Sequence, residues 1–354
     1  MSVRNILVAV LVLGLAGAAY GQRKKLKPGD AAPGLDIEEW VEGDELKIET
    51  DKVYVILFWE TKAARGRANP TLKVFSHLRE LFEIHSVDGL SVLAVGSGDV
   101  EDVRAVVRRH HKGVGFGVAA DRRNSTKRSW YDAAKLEKMP AVFIVDRKSR
   151  IAFIGDPTND QFDVILDRVL RGRFDARLED EAVGRLKAAR RARKVRNWRM
   201  ALRHYDEVIA LDPNVFAEIA IERCEMMVVD MDDREQTYDY VRTVLLEDYF
   251  KEDSGALRML AEKIGSDPKI PTEARDMDLA LELAEAARSV AGRHDPKALA
   301  TLALVHYRRG ELDEAIEYQK QAYFVALPNC KPDYRRDLKV YQGAAKRAEM
   351  SGPS

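Results

Sequence analysis

Two patterns of hydrophobic and polar positions divide the chain. From about residue 34 to 175, short apolar runs alternate with segments of helical periodicity, an alternation that builds α/β domains. The runs predict strands at Val53–Trp59, Leu90–Gly96, Val114–Ala119, Ala141–Asp146 and Ile151–Gly155. Val53–Trp59 and Leu90–Val95 are nearly unbroken, so both of their faces need cover. Helices are expected over Pro70–Ile84, Val100–His111, Ser125–Asp132 and Gln161–Arg171. In the first of these, Leu72, Val74, Phe75, Leu78, Leu81 and Phe82 recur on one face. Arg147-Lys148-Ser149-Arg150 joins the last two strands as an antiparallel hairpin. From about residue 178 to 348 strand patterns stop, Ala, Leu, Arg and Glu dominate, and an all-α region is expected.

The length of 354 residues suits two or three domains, and a hydrophobic content of 46% supplies packed cores. Lys+Arg and Asp+Glu both total 58, so no global charge points to nucleic acid. The first residues change the picture. Arg4, the apolar run Ile6–Leu15 and the small residues Ala19 and Gly21 have the layout of a signal peptide over residues 1–21, with a mature start near Gln22. The run is short against a bilayer span of about 20 residues. A periplasmic or secreted protein with no membrane span after cleavage is expected, beginning with a polar lead-in over residues 22–33.

Cysteine occurs only at Cys224 and Cys330, both in the helical half. An oxidising compartment would allow them to pair. Two free thiols acting as small apolar side chains on helices is the alternative. His110-His111 has no cysteine or carboxylate pattern around it and reads as a solvated helix end. No metal site and no cofactor are expected.

Four local motifs carry a resemblance over about residues 27–175. They are Lys27-Pro28-Gly29-Asp30-Ala31-Ala32-Pro33, Val55-Ile56-Leu57-Phe58-Trp59, Lys138-Met139-Pro140-Ala141-Val142-Phe143-Ile144-Val145-Asp146, and Ile151-Ala152-Phe153-Ile154-Gly155-Asp156-Pro157. Together they resemble the extracytoplasmic (TlpA-type, redoxin) branch of the thioredoxin-like superfamily. The resemblance implies a central mixed sheet flanked by helices, over residues 34–175. It also implies a cis-proline at Pro140, with Met139 beside the active-site loop, and thiol–disulfide or antioxidant chemistry. The loop departs from that pattern. After Phe58 it reads Trp59-Glu60-Thr61-Lys62-Ala63-Ala64-Arg65-Gly66-Arg67-Ala68-Asn69-Pro70, and either alignment of the family's Cys-x-x-Cys leaves it without sulfur. Thiol–disulfide exchange requires a thiolate nucleophile. The degenerate loop keeps Lys62, Arg65 and Arg67, a cationic set that could hold an anion or small ligand, or could simply be solvated.

Residues 178–348 resemble a tetratricopeptide-repeat array. In Leu299–Ile316, Leu302, Ala303, Gly310 and Ala315 fall at the repeat's landmark positions, and in Asn197–Pro213, Ala201, Tyr205 and Pro213 do so. The resemblance implies a curved helical solenoid that binds proteins or peptides. A run of basic residues from Arg185 to Arg199 offers an anionic partner a dock, or forms a solvated face balanced by Glu179, Asp180 and Glu181. The function expected is a protein-interaction scaffold on a redox-inactive frame. The alternatives are a thiol–disulfide oxidoreductase and an anion binder at the loop.

Overall fold

A computed structural model describes residues 25–61, 70–110, 115–121, 123–328 and 330–351. The loop positions Lys62, Ala63, Ala64, Arg65 and Gly66, and the proposed signal peptide, lie outside the described residues.

The first half is a six-stranded sheet. In chain order the elements are β1 (Glu39–Glu42), β2 (Val53–Glu60), α1 (Pro70–His85), β3 (Leu90–Ser97), α2 (Val100–His110), β4 (Gly117–Ala120), α3 (Ser125–Lys127) running into a π-helical turn (Arg128–Asp132), β5 (Ala141–Val145), β6 (Ile151–Gly155) and α4 (Asp160–Leu170). The strand order is β1-β4-β3-β2-β5-β6. β2 runs parallel to β3 and β3 parallel to β4, while β5 runs antiparallel to β2, and β6 antiparallel to β5. This mixed sheet with helices around it is thioredoxin-like.

Alternation along β2 explains both layers. Val53, Val55, Leu57 and Trp59 face a core completed by Val74, Phe75 and Leu78 of α1, Val103 of α2 and Phe162 of α4. Tyr54, Ile56 and Phe58 face the other side, against Trp130, Tyr131 and Phe143. Phe143 receives Phe58 and Trp130 edge-on, with ring centroids at 5.5 and 5.3 Å. Such geometry adds to the burial of each ring.

Three details differ from the sequence expectation. The strand expected from Val114 begins at Gly117, after Gly115 turns at φ +79°. β1 was not anticipated: it is four residues long and pairs antiparallel with β4. The polar lead-in is also part of the sheet edge. Gly29 donates to the Ile151 carbonyl at 2.7 Å, Ile151 to Asp30 at 2.9 Å, and Ala32 to Ser149 at 2.9 Å.

The rest is helical: α5 (Ala176–Lys194), α6 (Trp198–Ile209), α7 (Ala217–Glu225), α8 (Arg234–Tyr240), α9 (Ser254–Ser266), α10 (Met277–Ala291), α11 (Pro296–Arg309), α12 (Leu312–Val325) and α13 (Lys331–Ser351). α7 and α8 continue as π-helical segments, Met226–Asp230 and Val241–Tyr249. Helices α5 and α6, α9 and α10, and α11 and α12 pack in sequential pairs, and α13 closes against α12. Aspartate or asparagine caps recur. Asp175, Asn197, Asp253, Asp276 and Asp295 each accept from a backbone N–H in the first turn of the following helix.

The two halves are joined by side chains as well as by the chain. Arg173 is buried and donates to Asp253 Oδ1 at 2.8 Å, the oxygen that also caps α9 at Ala256. Its other terminal nitrogen meets Met259 Sδ at 3.2 Å. Lys148, in the β5–β6 turn, reaches Asp175 at 3.2 Å, and Arg168 reaches Glu179 at 2.5 Å. Gly255 leaves the notch in which Arg173 lies, since a Cβ there would stand 2.5 Å from Arg173 Nη2.

Arg173→Ala is expected to cost about 2–4 kcal/mol, because it strands a partly buried carboxylate. Gly255→Ala should also destabilise, although alanine in a helix normally gains about 1 kcal/mol over glycine. Urea unfolding checks both, and a stabilised Gly255→Ala protein would contradict the packing of Arg173.

In the helical half, burial pushes the Glu225 carboxyl up. Hydrogen bonds from Lys263 and from Lys269 at 3.1 Å outweigh it and hold Glu225 below the ordinary glutamate value. This stabilisation is complete above the unfolded value of 4.5 and is lost as pH falls through the depressed folded value. The urea midpoint should therefore drop as pH falls from about 5 to about 3, and Glu225→Gln should flatten that slope.

Candidate functional site

The end of β2 is where the family's chemistry would sit. Register fixes its neighbours: Phe58 pairs with Ala141 of β5, Trp59 with Gly96 of β3, and Glu60 with Ser97. One step beyond Ala141, the antiparallel register brings Pro140 alongside Trp59. The Met139–Pro140 peptide is cis, at the position where the resemblance implies a cis-proline. Both residues are half-buried, and Met139 packs against the cluster containing Tyr131 and Trp130.

Trp59 is fully buried and meets Phe75 edge-on, with centroids 5.3 Å apart. It is core and offers no ligand platform, and its indole Nε1 has no hydrogen-bond partner among the described residues. Ser97 Oγ, at the end of β3, is likewise buried with no partner among the described residues. Glu60 ends β2 and is exposed, whereas Thr61 is buried. Gly98, at φ +141°, lies against Thr61, and a Cβ there would stand 2.8 Å from Thr61 Oγ1. Burial first, and then the Glu60 charge, raises the Tyr131 phenol above its ordinary value. The described part of the site is thus an apolar shelf at Met139–Pro140, next to a carboxylate and a buried hydroxyl. It holds no cysteine.

Cys224 and Cys330 are both free. Cys224 lies on α7 in the helical core, and burial pushes its thiol up to about 12, against a small opposing effect of Arg223. It is held protonated at neutral pH. Cys330 is half-buried just before α13.

The repeat landmarks sit at helix contacts. Ala201, Tyr205, Leu302, Ala303 and Ala315 are buried, Gly310 ends α11 at φ +83°, and Pro213 follows α6 half-buried. Tyr205 Oη donates to Glu222 at 2.8 Å. The basic run splits in two. Arg185, Arg190 and Arg193 are engaged by Glu181, Glu222 and Asp230, at 3.2, 2.8 and 2.5 Å. Lys187, Arg191, Lys194, Arg196 and Arg199 are exposed with no ion pair among the described residues. Sequence reasoning missed the buried Arg173, because its partner is 80 residues away. It also missed the cation–aromatic cluster on Tyr323, where Lys331 and Arg335 both lie 5.3 Å from the ring centroid. Among the described residues no group of histidine, cysteine or carboxylate side chains has metal-binding geometry, and no helix is long and apolar enough to cross a membrane.

No protein-family model matches the chain. It is similar to Protein FixW of Rhizobium leguminosarum, 25% identical over 208 residues, covering 53% of this chain and 93% of that protein. Among solved structures it is similar to the thioredoxin domain of a thiol-disulfide oxidoreductase from Bacteroides vulgatus. That match has 14% identity, 41% of this chain, 99% of that chain and a TM-score of 0.34. It is also similar to a thiol:disulfide interchange protein from a Bacteroides species, with 14% identity, 41% of this chain, 91% of that chain and a TM-score of 0.33.

Native protein at pH about 8 is expected to give one accessible thiol, Cys330, with an aromatic disulfide reagent. Cys224, with a thiolate fraction on the order of one in ten thousand, should appear only on unfolding. Fast native labelling of Cys224 would contradict its placement.

Proposed function

We propose that this chain is an exported protein-interaction scaffold. It joins a thioredoxin-like domain that performs no thiol–disulfide exchange to a tetratricopeptide-like helical array. The observation that carries the reading is the absence of any cysteine between residues 25 and 175, in a domain whose family chemistry depends on one. The cis Met139–Pro140 shelf and the end of β2 supply a groove edge without a nucleophile. The paired helices, with small buried residues at their contacts, support an array that presents a recognition surface. The exposed cations Lys187, Arg191 and Lys194 on α5 offer an anionic partner its contact. Export rests on the pattern Arg4, Ile6–Leu15, Ala19 and Gly21.

The second reading, a thiol–disulfide oxidoreductase, draws on the thioredoxin-like sheet and the cis peptide bond. It would have to route exchange through Cys330, since Cys224 is buried and protonated.

Affinity capture from envelope extracts separates the two, using wild type and a Cys224→Ser/Cys330→Ser variant under non-reducing conditions. The scaffold reading expects the same partners in both, none of them disulfide-linked. Partners recovered only as mixed disulfides, and lost in the variant, would favour the oxidoreductase. The mass of the exported form should begin at Gln22.

A further inference from the structure

The last two helices leave a cationic groove uncovered. It encloses about 690 Å³ along the first half of α13 and the connection that precedes it, and Pro328, Lys331, Pro332, Arg335, Arg336 and Lys339 line it. Among the described residues no carboxylate lines it. Asp333 and Asp337 both pair with Arg336, at 3.2 and 3.4 Å. Lys331, Arg335 and Lys339 therefore keep their charge unneutralised by any carboxylate among the described residues.

Two of these cations are held in place by an aromatic ring. Lys331 Nζ and the Arg335 guanidinium each lie 5.3 Å from the Tyr323 ring centroid, and Arg335 Nη2 donates to Tyr323 Oη at 2.5 Å. A ring orients a cation without cancelling its charge. The same cations draw the half-buried Tyr323 phenol below its ordinary value, chiefly through the Arg335 hydrogen bond. Bulky apolar side chains stand in solvent nearby: Val340, 48% exposed, lines the groove, and Phe324, 75% exposed, has its ring 6.1 Å from that of Tyr323. The chain carries no net charge, so this patch is a local segregation.

We propose that this groove docks an acidic segment of a partner protein, in extended form, whose carboxylates alternate with apolar side chains. The statement rests on the reading of the helical half as a binding module and names the chemistry of one partner. Spacing supports it. Lys331, Arg335 and Lys339 follow one another at about 6 Å along the helix axis. Alternate side chains of an extended peptide repeat at about 6.6–7 Å. A single small inorganic anion meets one or two of these cations, whereas an extended chain with carboxylates at alternate positions meets Lys331, Arg335 and Lys339 together from one face.

The probe is a fluorescein-labelled peptide of sequence SEFELEGS, titrated with the full chain by anisotropy. SKFKLKGS and SEGEGEGS serve as comparison peptides, and anionic phosphatidylglycerol vesicles as a separate ligand. The acidic–apolar peptide should bind, more weakly as salt rises, and more tightly than either comparison peptide. Lys331→Glu/Arg335→Glu/Lys339→Glu should weaken it at least about tenfold. Lys73→Glu on α1, exposed and outside both cationic surfaces, should leave it within about twofold, and Lys187→Glu/Arg191→Glu tests α5 as the alternative dock. These side chains are exposed or half-buried, and circular dichroism verifies the fold. The single Lys339→Glu variant gives a smaller loss should the triple variant unfold. Absence of peptide binding, equal affinity for SKFKLKGS, or equal affinity in the α13 variants overturns the proposal. So does binding confined to vesicles and lost in the α13 variants, which would make the groove a membrane contact. Loss confined to the α5 variant overturns the groove and leaves the scaffold reading intact. Cysteine-dependent capture would overturn that reading and leave the groove standing.

Discussion

The geometry of the whole molecule depends on where the Arg173 guanidinium lies. It leaves the end of the α/β half, crosses the first turn of α9 in the notch at Gly255, and bonds to Asp253 Oδ1. That oxygen also caps α9 through the Ala256 N–H. A single carboxylate therefore starts a helix and fastens one half to the other. A buried cation tolerates little displacement, since its desolvation is offset only while the partner stays in place. Lys148 on Asp175 and Arg168 on Glu179 add contacts between the same two halves. The sheet and the helical region are thus presented in a fixed relation.

That fixed relation gives meaning to what each half offers. The thioredoxin-like sheet ends in a half-buried Met139–Pro140 shelf, with Glu60 exposed and Thr61 buried beside it. The helical half carries unneutralised cations on α5 and on α13, at its first and last helices. Its interior charges are paired, as with Glu222 on Arg190 and Glu225 on Lys263 and Lys269. Under the proposed function, these exposed groups are the recognition surfaces. The chemistry its sheet resembles would need sulfur at the end of β2, and the chain has none there.

Much of this was legible in the sequence where local physics decides. The unbroken runs at Val53–Trp59 and Leu90–Val95 could be nothing but covered strands, and Ile151–Gly155 and Ala141–Val145 followed from short apolar runs around a four-residue turn. β1 was hidden because Glu39–Glu42 is too short and too polar to show a period, and its pairing comes from β4. The start of β4 was placed early because Val114 extends its apolar run past the turn at Gly115. The π-helical stretches after α7 and α8 leave no mark in composition. Phe250 bonds back to Leu245 at 2.8 Å, a spacing set by tertiary packing. Arg173, Gly255 and the Tyr323 cluster escaped for the same reason: each is a contact between distant or facing elements. In the basic run the residues were visible, but only the folded helices separate the engaged Arg190 and Arg193 from the free Lys187 and Arg191.

The central claim is that the chain works by binding and carries out no thiol exchange. Insulin reduction by the purified full chain with dithiothreitol tests it most directly, with the Cys224→Ser/Cys330→Ser variant alongside. The account predicts that both proteins match the uncatalysed rate. Turnover above that rate, abolished by the cysteine substitutions, would contradict it.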